Sequence, residues 1–287
     1  MSKHTSFKIG GPCDILINPE SADELVEIIR DLKVRQTPYC VIGNGSNLLV
    51  SDEGVRGAVI EISKDMSAVE IISSDVDSDS DYVYIKAESG IMLSKLALFA
   101  YNEGLAGLEF ASGIPGTLGG AVFMNAGAYQ GEISQVLMET EYYDVLEDKI
   151  AVIDNSRHEF GYRHSIFQQN DGIILNCTLK LKKGTQEDIK FKMEDFSNRR
   201  KTKQPLEFAS AGSTFKRPEG YFAGSLIENS GLAGRTIGGA RVSEKHCGFI
   251  INTGGATCSD VLELIGTVKK EVYNKFGVEL KEEVRIL

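Results

Sequence analysis

The sequence predicts an α+β protein in which helices, β-prone runs and long glycine-rich loops follow one another along the chain. Ser21 and Glu24 form a capping box, after which apolar residues recur at helical spacing. A second amphipathic pattern begins near Ser259 and stops before Gly277, and glycine is the residue that most often follows a helix. The 287 residues, 42% hydrophobic and 25% charged, suit two globular domains or one large one.

Local patterns predict the remaining elements. Runs rich in valine, isoleucine and tyrosine predict strands over 39–42, 55–62, 83–87, 139–146, 173–181 and 278–287. Helices are predicted over 92–103, which Gly104 follows, and from Thr185 towards Arg200, with a short helical segment over 118–124. The acidic segment 75–81 is predicted to be a solvated loop.

Composition excludes several classes of protein. A formal net charge of -10 argues against nonspecific binding to nucleic acid or to an anionic membrane. No apolar run approaches the roughly 20 residues of a membrane span, and the N-terminus lacks a signal-peptide pattern. We therefore expect a cytoplasmic protein, and nothing in the sequence indicates a partner protein. The cysteines lack metal-ligand spacing and are expected to be reduced thiols that bind no metal, namely Cys13, Cys40, Cys177, Cys247 and Cys258.

The most informative segment covers residues 107–129 and reads GLEFASGIPGTLGGAVFMNAGAY. Six glycines stand among alanines and a serine, so the backbone carries almost no side-chain bulk. Each glycine inside a regular element costs roughly 0.5–1 kcal/mol relative to alanine, so such a run is expected where the backbone takes unusual dihedral angles or approaches a ligand closely. The exposed helix start after Gly116-Thr117 is predicted to offer free N–H groups to a phosphate.

A second glycine-rich loop follows the strand predicted over 39–42 and reads GNGSNLL over 43–49. It fits the dinucleotide fingerprint poorly, because Leu48 stands at the third glycine position and no amphipathic helix follows. Two interpretations remain open for this loop. It either binds phosphate as a nest of backbone N–H groups or is an ordinary turn around Asn44-Gly45.

A cluster of basic residues lies at the end of the helix predicted from Thr185. Arg199, Arg200, Lys201 and Lys203 are followed by Lys216 and Arg217. The cluster is either a positive patch for an anionic substrate or a solvated helix end, where cations are favoured. Position alone does not decide between these interpretations.

Several motifs together resemble the MurB family, the UDP-N-acetylenolpyruvoylglucosamine reductases of bacterial cell-wall synthesis. They are HTSFKIGGP over 4–12, the two glycine-rich loops, GYRHSIF over 161–167, AGSTFK over 211–216 and EVR over 283–285. Their order along nearly the whole chain makes the resemblance specific. The short spacing between Arg163 and Ser213 is similar to the compact branch of the family, which lacks a substrate-capping insertion.

The resemblance implies an α+β FAD-binding fold of the vanillyl-alcohol-oxidase type, with two α+β subdomains and a C-terminal substrate domain. We expect the FAD-binding domain over 1–185, with subdomains about 1–65 and 66–185, and the substrate domain over 186–287. The implied reaction uses non-covalent FAD and NADPH to reduce the enolpyruvyl ether of a UDP-sugar. The partners are thus NADPH and the UDP-sugar enolpyruvyl ether.

The resemblance also implies roles for single residues. Arg163 would bind the substrate carboxylate and the developing oxyanion, Ser213 would donate a proton, and Glu283 would act protonated or by positioning Arg163 or a water. Lys203, Arg217 and His246 are the expected substrate-binding residues. The expected cofactor-binding residues are Gly43, Asn44, Gly45, Ser46, Asn47, Leu48, Ser112, Gly113, Ile114, Pro115, Gly116, Thr117, Gly119, Gly120, Asn125, Ala126, Gly127 and Arg200.

Other interpretations stay open on the residues alone. Arg163 could be a surface arginine, Ser213 a turn residue, and Glu283 part of the polar face of the last strand, where alternation places Glu282 on the apolar face. Rival functions are another FAD-dependent oxidoreductase of the same fold or a flavin-binding module without catalysis. The glycine-rich loops contain no histidine or cysteine for covalent flavin attachment. Gln130 stands where the family usually has glycine, and we expect this departure to be tolerated.

Overall fold

A computed structural model describes residues 1–72 and 81–287, so most of the predicted acidic loop over 75–81 lies outside the described residues. The helices are α1 Ala22–Val34, α2 Leu93–Asn102, α3 Leu118–Met124, α4 Gln186–Lys203, α5 Ala223–Asn229 and α6 Cys258–Phe276. All the predicted helices are confirmed. The strands are β1 Cys13–Ile17, β2 Tyr39–Ile42, β3 Leu48–Leu49, β4 Val55–Glu61, β5 Val69–Ile72, β6 Tyr82–Glu88, β7 Leu105–Ala106, β8 Gly127–Ala128, β9 Gly131–Glu132, β10 Leu137–Asp144, β11 Lys149–Asp154, β12 Ile173–Lys183, β13 Thr236–Ile237, β14 Ala240–Val242, β15 Ile250–Asn252 and β16 Arg285–Ile286.

The helix ends follow from local capping. The Ser21 side chain accepts a hydrogen bond from the Glu24 N–H at the start of α1. At the start of α6, Thr257 and Asp260 form a reciprocal capping box, and Gly277 ends the helix with a φ of 67°.

The largest sheet has the strand order β11-β10-β12-β6-β5, and its neighbouring strands are antiparallel. Its long central strand β12 buries alternate residues, as expected when one face of a sheet packs on the core. A smaller sheet has the order β1-β4-β2, β13-β14-β15 form another, and β3 pairs in parallel with β16.

The chain forms two compact units. The first unit comprises Met1–Ile15, Gly45–Ala58 and Lys201–Leu287, and the second comprises Leu16–Asn44 and Val59–Arg200. Each unit has its own apolar core: α5, α6 and the buried Leu49 contribute to the first, while α2, α3, β6 and β12 contribute to the second. The expected domain boundaries at 1–185 and 186–287 stay a prediction.

The strand predicted over 278–287 is wrong for all but β16. Its apolar alternation is real, since Leu280 and Val284 are buried. Residues 281–283 instead make isolated contacts with 214–216, in which the Lys216 N–H donates to the Lys281 carbonyl and the Glu283 N–H to the Thr214 carbonyl.

Within the described residues, no helix is long and apolar enough to cross a membrane.

Candidate functional site

The glycine-rich run 107–129 lies in the second unit and surrounds the start of α3. Thr117 is the N-cap residue of this helix. The expectation that this helix start offers free N–H groups is wrong for Leu118 and Gly119, which donate to the carbonyls of Ile91 and Ser89. The N–H groups of Gly113, Gly116 and Gly120 find no acceptor within the described residues. These three donors remain available to an anionic ligand.

The two glycine-rich loops meet within the second unit. A Cβ atom built on Gly43 would lie 2.2 Å from the Thr117 Oγ1, so only glycine fits there. The neighbouring Asn44 donates from Nδ2 to the Pro115 carbonyl over 2.6 Å. The end of β2 and the loop before α3 therefore support each other. The strands on either side of 43–49 pair elsewhere, β2 with β4 and β3 with β16, so this loop does not join the two strands of a hairpin.

Three side chains of helix α4, spaced four residues apart, pack against the same glycine-rich run. Lys192 lies 3.6 Å from the buried carboxylate of Glu109, and Phe196 stacks on Tyr129 with ring centroids 4.5 Å apart. At the third position Arg200 covers Gly113, whose built Cβ would lie 3.2 Å from the arginine Cδ and Nη1.

Arg200 has the character expected of an anion-binding group. Burial lowers the pKa of its guanidinium, an effect that the nearby Tyr129 opposes. Within the described residues Arg200 makes no ion pair. A half-buried cation next to free backbone N–H groups is suited to hold a phosphate.

The second half of the 43–49 loop lies in the first unit, where it contacts the C-terminal segment. Gly45 has a φ of 58°, and a Cβ built on it would fall 2.1 Å from the His4 carbonyl oxygen. Asn47 donates from Nδ2 to the Glu283 carbonyl and accepts from the Arg285 N–H. The N–H groups of Gly45, Ser46 and Asn47 have no acceptor within the described residues. This part of the loop is thus a second set of free backbone donors.

Ser213 and Glu283 belong to neighbouring segments of the first unit. Gly212 before the serine has a φ of 78°, so its conformation, and not a lack of space, favours glycine. The next residue, Thr214, accepts the N–H of Glu283 at 2.8 Å. Both Ser213 and Glu283 are half-buried. The fold therefore brings these two predicted residues together, whereas Glu282 pairs with Lys269 at 2.8 Å.

The three expected substrate-binding residues are also in the first unit. His246 accepts the Gly248 N–H at Nδ1 over 3.2 Å, and burial lowers the pKa of this imidazole, with a smaller contribution from the charge of Lys203. Arg217 places its guanidinium 4.3 Å from the centre of the exposed Phe222 ring. Lys203 is exposed at the end of α4.

Arg163 lies in the second unit, at the corner of a tight turn. Gly161 and His164 close this turn by exchanging two backbone hydrogen bonds. Arg163 has a φ of 56°, in the left-handed region that non-glycine residues rarely adopt. Its Nη2 donates to the Gly127 carbonyl over 3.3 Å, and its guanidinium lies 5.1 Å from the centre of the Tyr162 ring. The Arg163 side chain therefore links the 161–164 turn to the glycine-rich run.

Asn125, an expected cofactor-binding residue, has a buried side chain with several partners in the protein. Its Nδ2 donates to the Gly161 carbonyl and to Glu132, and its Oδ1 accepts the Ser134 N–H. A contribution of Asn125 to a ligand site would therefore come through the position of the 161–164 turn.

Sequence reasoning missed residues that support the site. Glu109 was the single charged residue inside the glycine-rich run, which is a signal that could have identified it. Gln168 and Ser165 had no such signal, and yet both donate to the Phe123 carbonyl at the end of α3.

The residues of each unit fit a dinucleotide cofactor. Backbone N–H groups of Gly113, Gly116 and Gly120 in the second unit, and of Gly45, Ser46 and Asn47 in the first, have no acceptor within the described residues. In the second unit Arg200 adds a cation without an ion pair in the described chain. FAD has a pyrophosphate that requires such donors.

Comparison with known proteins agrees with this geometry. Residues 13–145 match a family model described as FAD binding domain, and residues 204–287 match one described as UDP-N-acetylenolpyruvoylglucosamine reductase, C-terminal domain. The enzymes of that name from Clostridioides difficile (strain 630) and Caldanaerobacter subterraneus subsp. tengcongensis are each 50% identical over 287 residues, covering 100% of this chain and 91% of the relative.

A solved structure resembles the whole chain. The crystal structure of UDP-N-acetylenolpyruvylglucosamine reductase (MurB) from Thermus caldophilus superposes with a TM-score of 0.81 at 35% identity, and the match covers 99% of this chain and 96% of that one. The α+β fold and the FAD-binding domain expected from the sequence are thus confirmed. This protein belongs to the UDP-N-acetylenolpyruvoylglucosamine reductase family.

Proposed function

We propose that this protein reduces UDP-N-acetylglucosamine enolpyruvate to UDP-N-acetylmuramate through bound FAD, with NADPH as the reductant, as a step of peptidoglycan precursor synthesis in the cytoplasm. The observation that carries the proposal is the full-length similarity to reductases of this name, at 50% identity over 287 residues. When bound, FAD would accept hydride from NADPH and pass it to the terminal vinyl carbon of the substrate.

The FAD pyrophosphate would be held by backbone donors of the glycine-rich loops and by Arg200. Support comes from the N–H groups without protein acceptors at Gly113, Gly116 and Gly120 in the second unit. Gly45 and its neighbours offer a similar set in the first unit. Lys203, Arg217 and His246 would contact the substrate, whose diphosphate requires cations.

Arg163 would bind the substrate carboxylate and the negative charge that develops beside it. A guanidinium offers several fixed N–H donors to a carboxylate, and its charge persists at all working pH values. The unusual backbone of Arg163 supports this role, because strained conformations of this kind concentrate at functional sites.

Ser213 would donate a proton to the carbon next to the carboxylate. The Ser213 hydroxyl can donate a proton, and the left-handed backbone of Gly212 sets the direction in which the chain enters Ser213. Glu283, whose N–H is bonded to the residue after Ser213, would act protonated or would orient a water, because a bare carboxylate repels an enolate.

One cuvette experiment tests the proposal. NADPH added anaerobically to the FAD-loaded protein should bleach the flavin absorbance, and the enolpyruvyl sugar nucleotide should then restore it. Bleaching without restoration would indicate a different flavin-dependent oxidoreductase, and absence of bleaching would indicate a flavin-binding module.

A serine variant tests the mechanism. Ser213→Ala should be reduced by NADPH at the normal rate and should be reoxidised by the sugar nucleotide about 10²- to 10⁴-fold more slowly, the usual contribution of general acid catalysis. Ser210→Ala, three residues earlier in the same segment, is the matched control and should behave like the unmodified protein. Normal turnover of Ser213→Ala would exclude the serine as the proton donor.

A further inference from the structure

The turn that carries Arg163 adopts a conformation that its own sequence does not favour. Arg163 has a φ of 56°, and crowding of the Cβ atom makes this left-handed backbone unfavourable for an arginine. Such a residue keeps its conformation only when the surrounding structure fixes it. The two backbone hydrogen bonds between Gly161 and His164 close the turn but do not tie it to the rest of the second unit.

The Asn125 side chain ties the turn at the Gly161 carbonyl, and the Gln168 side chain ties it at the backbone of Arg163. Gln168 Nε2 donates to the carbonyl oxygen of Arg163 at 3.0 Å and to the carbonyl oxygen of Phe123 at 2.9 Å. Phe123 lies in α3, the helix whose first residues belong to the glycine-rich run. The amide therefore clamps the backbone of Arg163 to the C-terminal end of α3.

The chemistry of the clamp is specific. The two closest atoms that face Nε2 are carbonyl oxygens, and the third is the Met124 Sδ at 3.7 Å, a weak acceptor. All three only accept, so the group between the two oxygens must supply N–H donors. A primary amide supplies them, whereas a carboxylate at the same position would repel both oxygens, and a methyl group would leave them without this donor.

We propose that Gln168 is a positioning residue for Arg163, which sets the direction of the guanidinium by holding the Arg163 carbonyl against α3. The inference rests on the proposed role of Arg163 in the reduction of the sugar nucleotide. The Gln168 amide contacts two backbone carbonyls and the Met124 sulfur, and it is not assigned a contact with substrate.

Gln168→Leu separates this role from a general loss of structure. Reduction of the flavin by NADPH should be unchanged, because Arg163 acts on the second substrate. Reoxidation by the enolpyruvyl sugar nucleotide should slow about 10- to 100-fold, the effect expected when a catalytic group moves by about 1 Å. Gln169→Leu is the matched control, because the exposed Gln169 amide contacts the His164 ring at 3.3 Å and not the backbone of Arg163, and this variant should be reoxidised normally.

Gln168→Glu adds a pH signature that a structural role would not produce. Two carbonyl oxygens facing the introduced carboxyl should raise its pKa, and only its protonated form can donate a hydrogen bond. The reoxidation rate of this variant, divided by that of the unmodified protein, should therefore increase as the pH is lowered from about 8 to about 6. A flat ratio would overturn the proposal.

Amide hydrogen exchange of the FAD-free protein gives a readout independent of turnover. The His164 N–H, which donates to Gly161, should exchange about tenfold faster in Gln168→Leu and normally in Gln169→Leu. If the unmodified protein is not reoxidised by the sugar nucleotide, the proposed function fails and the exchange measurement still decides whether Gln168 holds the turn. Equal slowing of flavin reduction and flavin reoxidation in Gln168→Leu, or normal reoxidation of this variant, would overturn the positioning role. If Gln168→Leu does not fold, the pH dependence of the relative reoxidation rate of Gln168→Glu decides.

Discussion

Gly43 stands so close to Thr117 that a Cβ atom on the glycine would lie 2.2 Å from the threonine Oγ1. Thr117 is buried and precedes α3, so it cannot easily move away. Gly43→Ala should therefore lower the free energy of unfolding by about 1–3 kcal/mol, the usual cost of overpacking. Denaturant titration measures this loss.

A double-mutant cycle identifies the cause. Thr117→Ala removes the Oγ1, so adding Gly43→Ala to that variant should cost about 1–2 kcal/mol less than it does alone. Equal costs in both backgrounds would mean that Thr117 is not the obstacle.

Gln130→Gly should stabilise the protein. Tyr129 and Gln130 form the corner of the β8–β9 hairpin with φ values of 53° and 70°, and glycine adopts such angles without strain. Gln130 is exposed, so we expect a gain of about 0.5–1 kcal/mol in the free energy of unfolding, measured by urea titration.

The neighbouring position provides the control for this change. Tyr129→Gly relieves the same kind of strain but removes the stacking on Phe196, so it should destabilise by about 1–2 kcal/mol. Stabilisation by both substitutions would show that the stacking contributes little.

Lys192→Met should destabilise the protein more than Lys190→Met does. The carboxylate of Glu109 is 8% exposed, and Lys192 at 3.6 Å is its ion-pair partner in the described chain, whereas Lys190 pairs with the exposed Glu194 at 3.9 Å. Lys192 is itself largely exposed, so we expect a loss of about 1 kcal/mol for Lys192→Met and almost none for Lys190→Met. Equal urea midpoints for the two variants would contradict a role for the pair.

Stability should fall as the pH drops through the titration range of His158. This imidazole is fully buried; its Nδ1 faces the Asp154 carbonyl and its Nε2 faces the Thr140 hydroxyl. Burial lowers its pKa below the ordinary value of about 6.5, although the hydrogen bond to Asp154 opposes the shift. Below pH 6.5 the unfolded chain thus binds more protons than the folded one, so stability declines until the folded-state pKa is reached.

Urea midpoints at pH 7.5 and 5.5 should therefore differ more in the unmodified protein than in His158→Gln, which cannot titrate. An NMR titration of His158 should give a pKa below 6.5. Identical pH dependence in both proteins would show that His158 is not responsible.

Elements with local signals were predictable. The Ser21 cap and the glycines at 104 and 277 mark where α1 begins and where α2 and α6 end, and α3 over Leu118–Met124 has the predicted bounds. The capping box predicted at Ser21 is half formed, because the Glu24 carboxylate accepts the Glu20 N–H instead of the Ser21 N–H. Alternation along the last ten residues did not reveal their pairing partner, because β pairing depends on distant segments. The assigned catalytic and binding residues stay predictions.

Contacts between distant segments were not accessible to sequence reasoning. Gln168 lies 45 residues from Phe123, and the local sequence at 168 contains no pattern that indicates two carbonyl oxygens beside it. The sequence predicted free N–H groups in the glycine-rich run but not which residues carry them. The N–H groups of Leu118 and Gly119 donate to the carbonyls of residues 91 and 89, in a separate segment.

The pairing of β3 with β16 constrains how the protein is made. The Arg285 N–H bonds to Asn47, and the Ser51 N–H donates to the carbonyl of Leu287, so the early loop of the first unit is completed by the last residues of the chain. During synthesis residues 285–287 emerge long after residues 47–51, with which they pair. The first unit therefore cannot complete its fold until residues 285–287 have been made, and deleting these three residues would remove its closing strand.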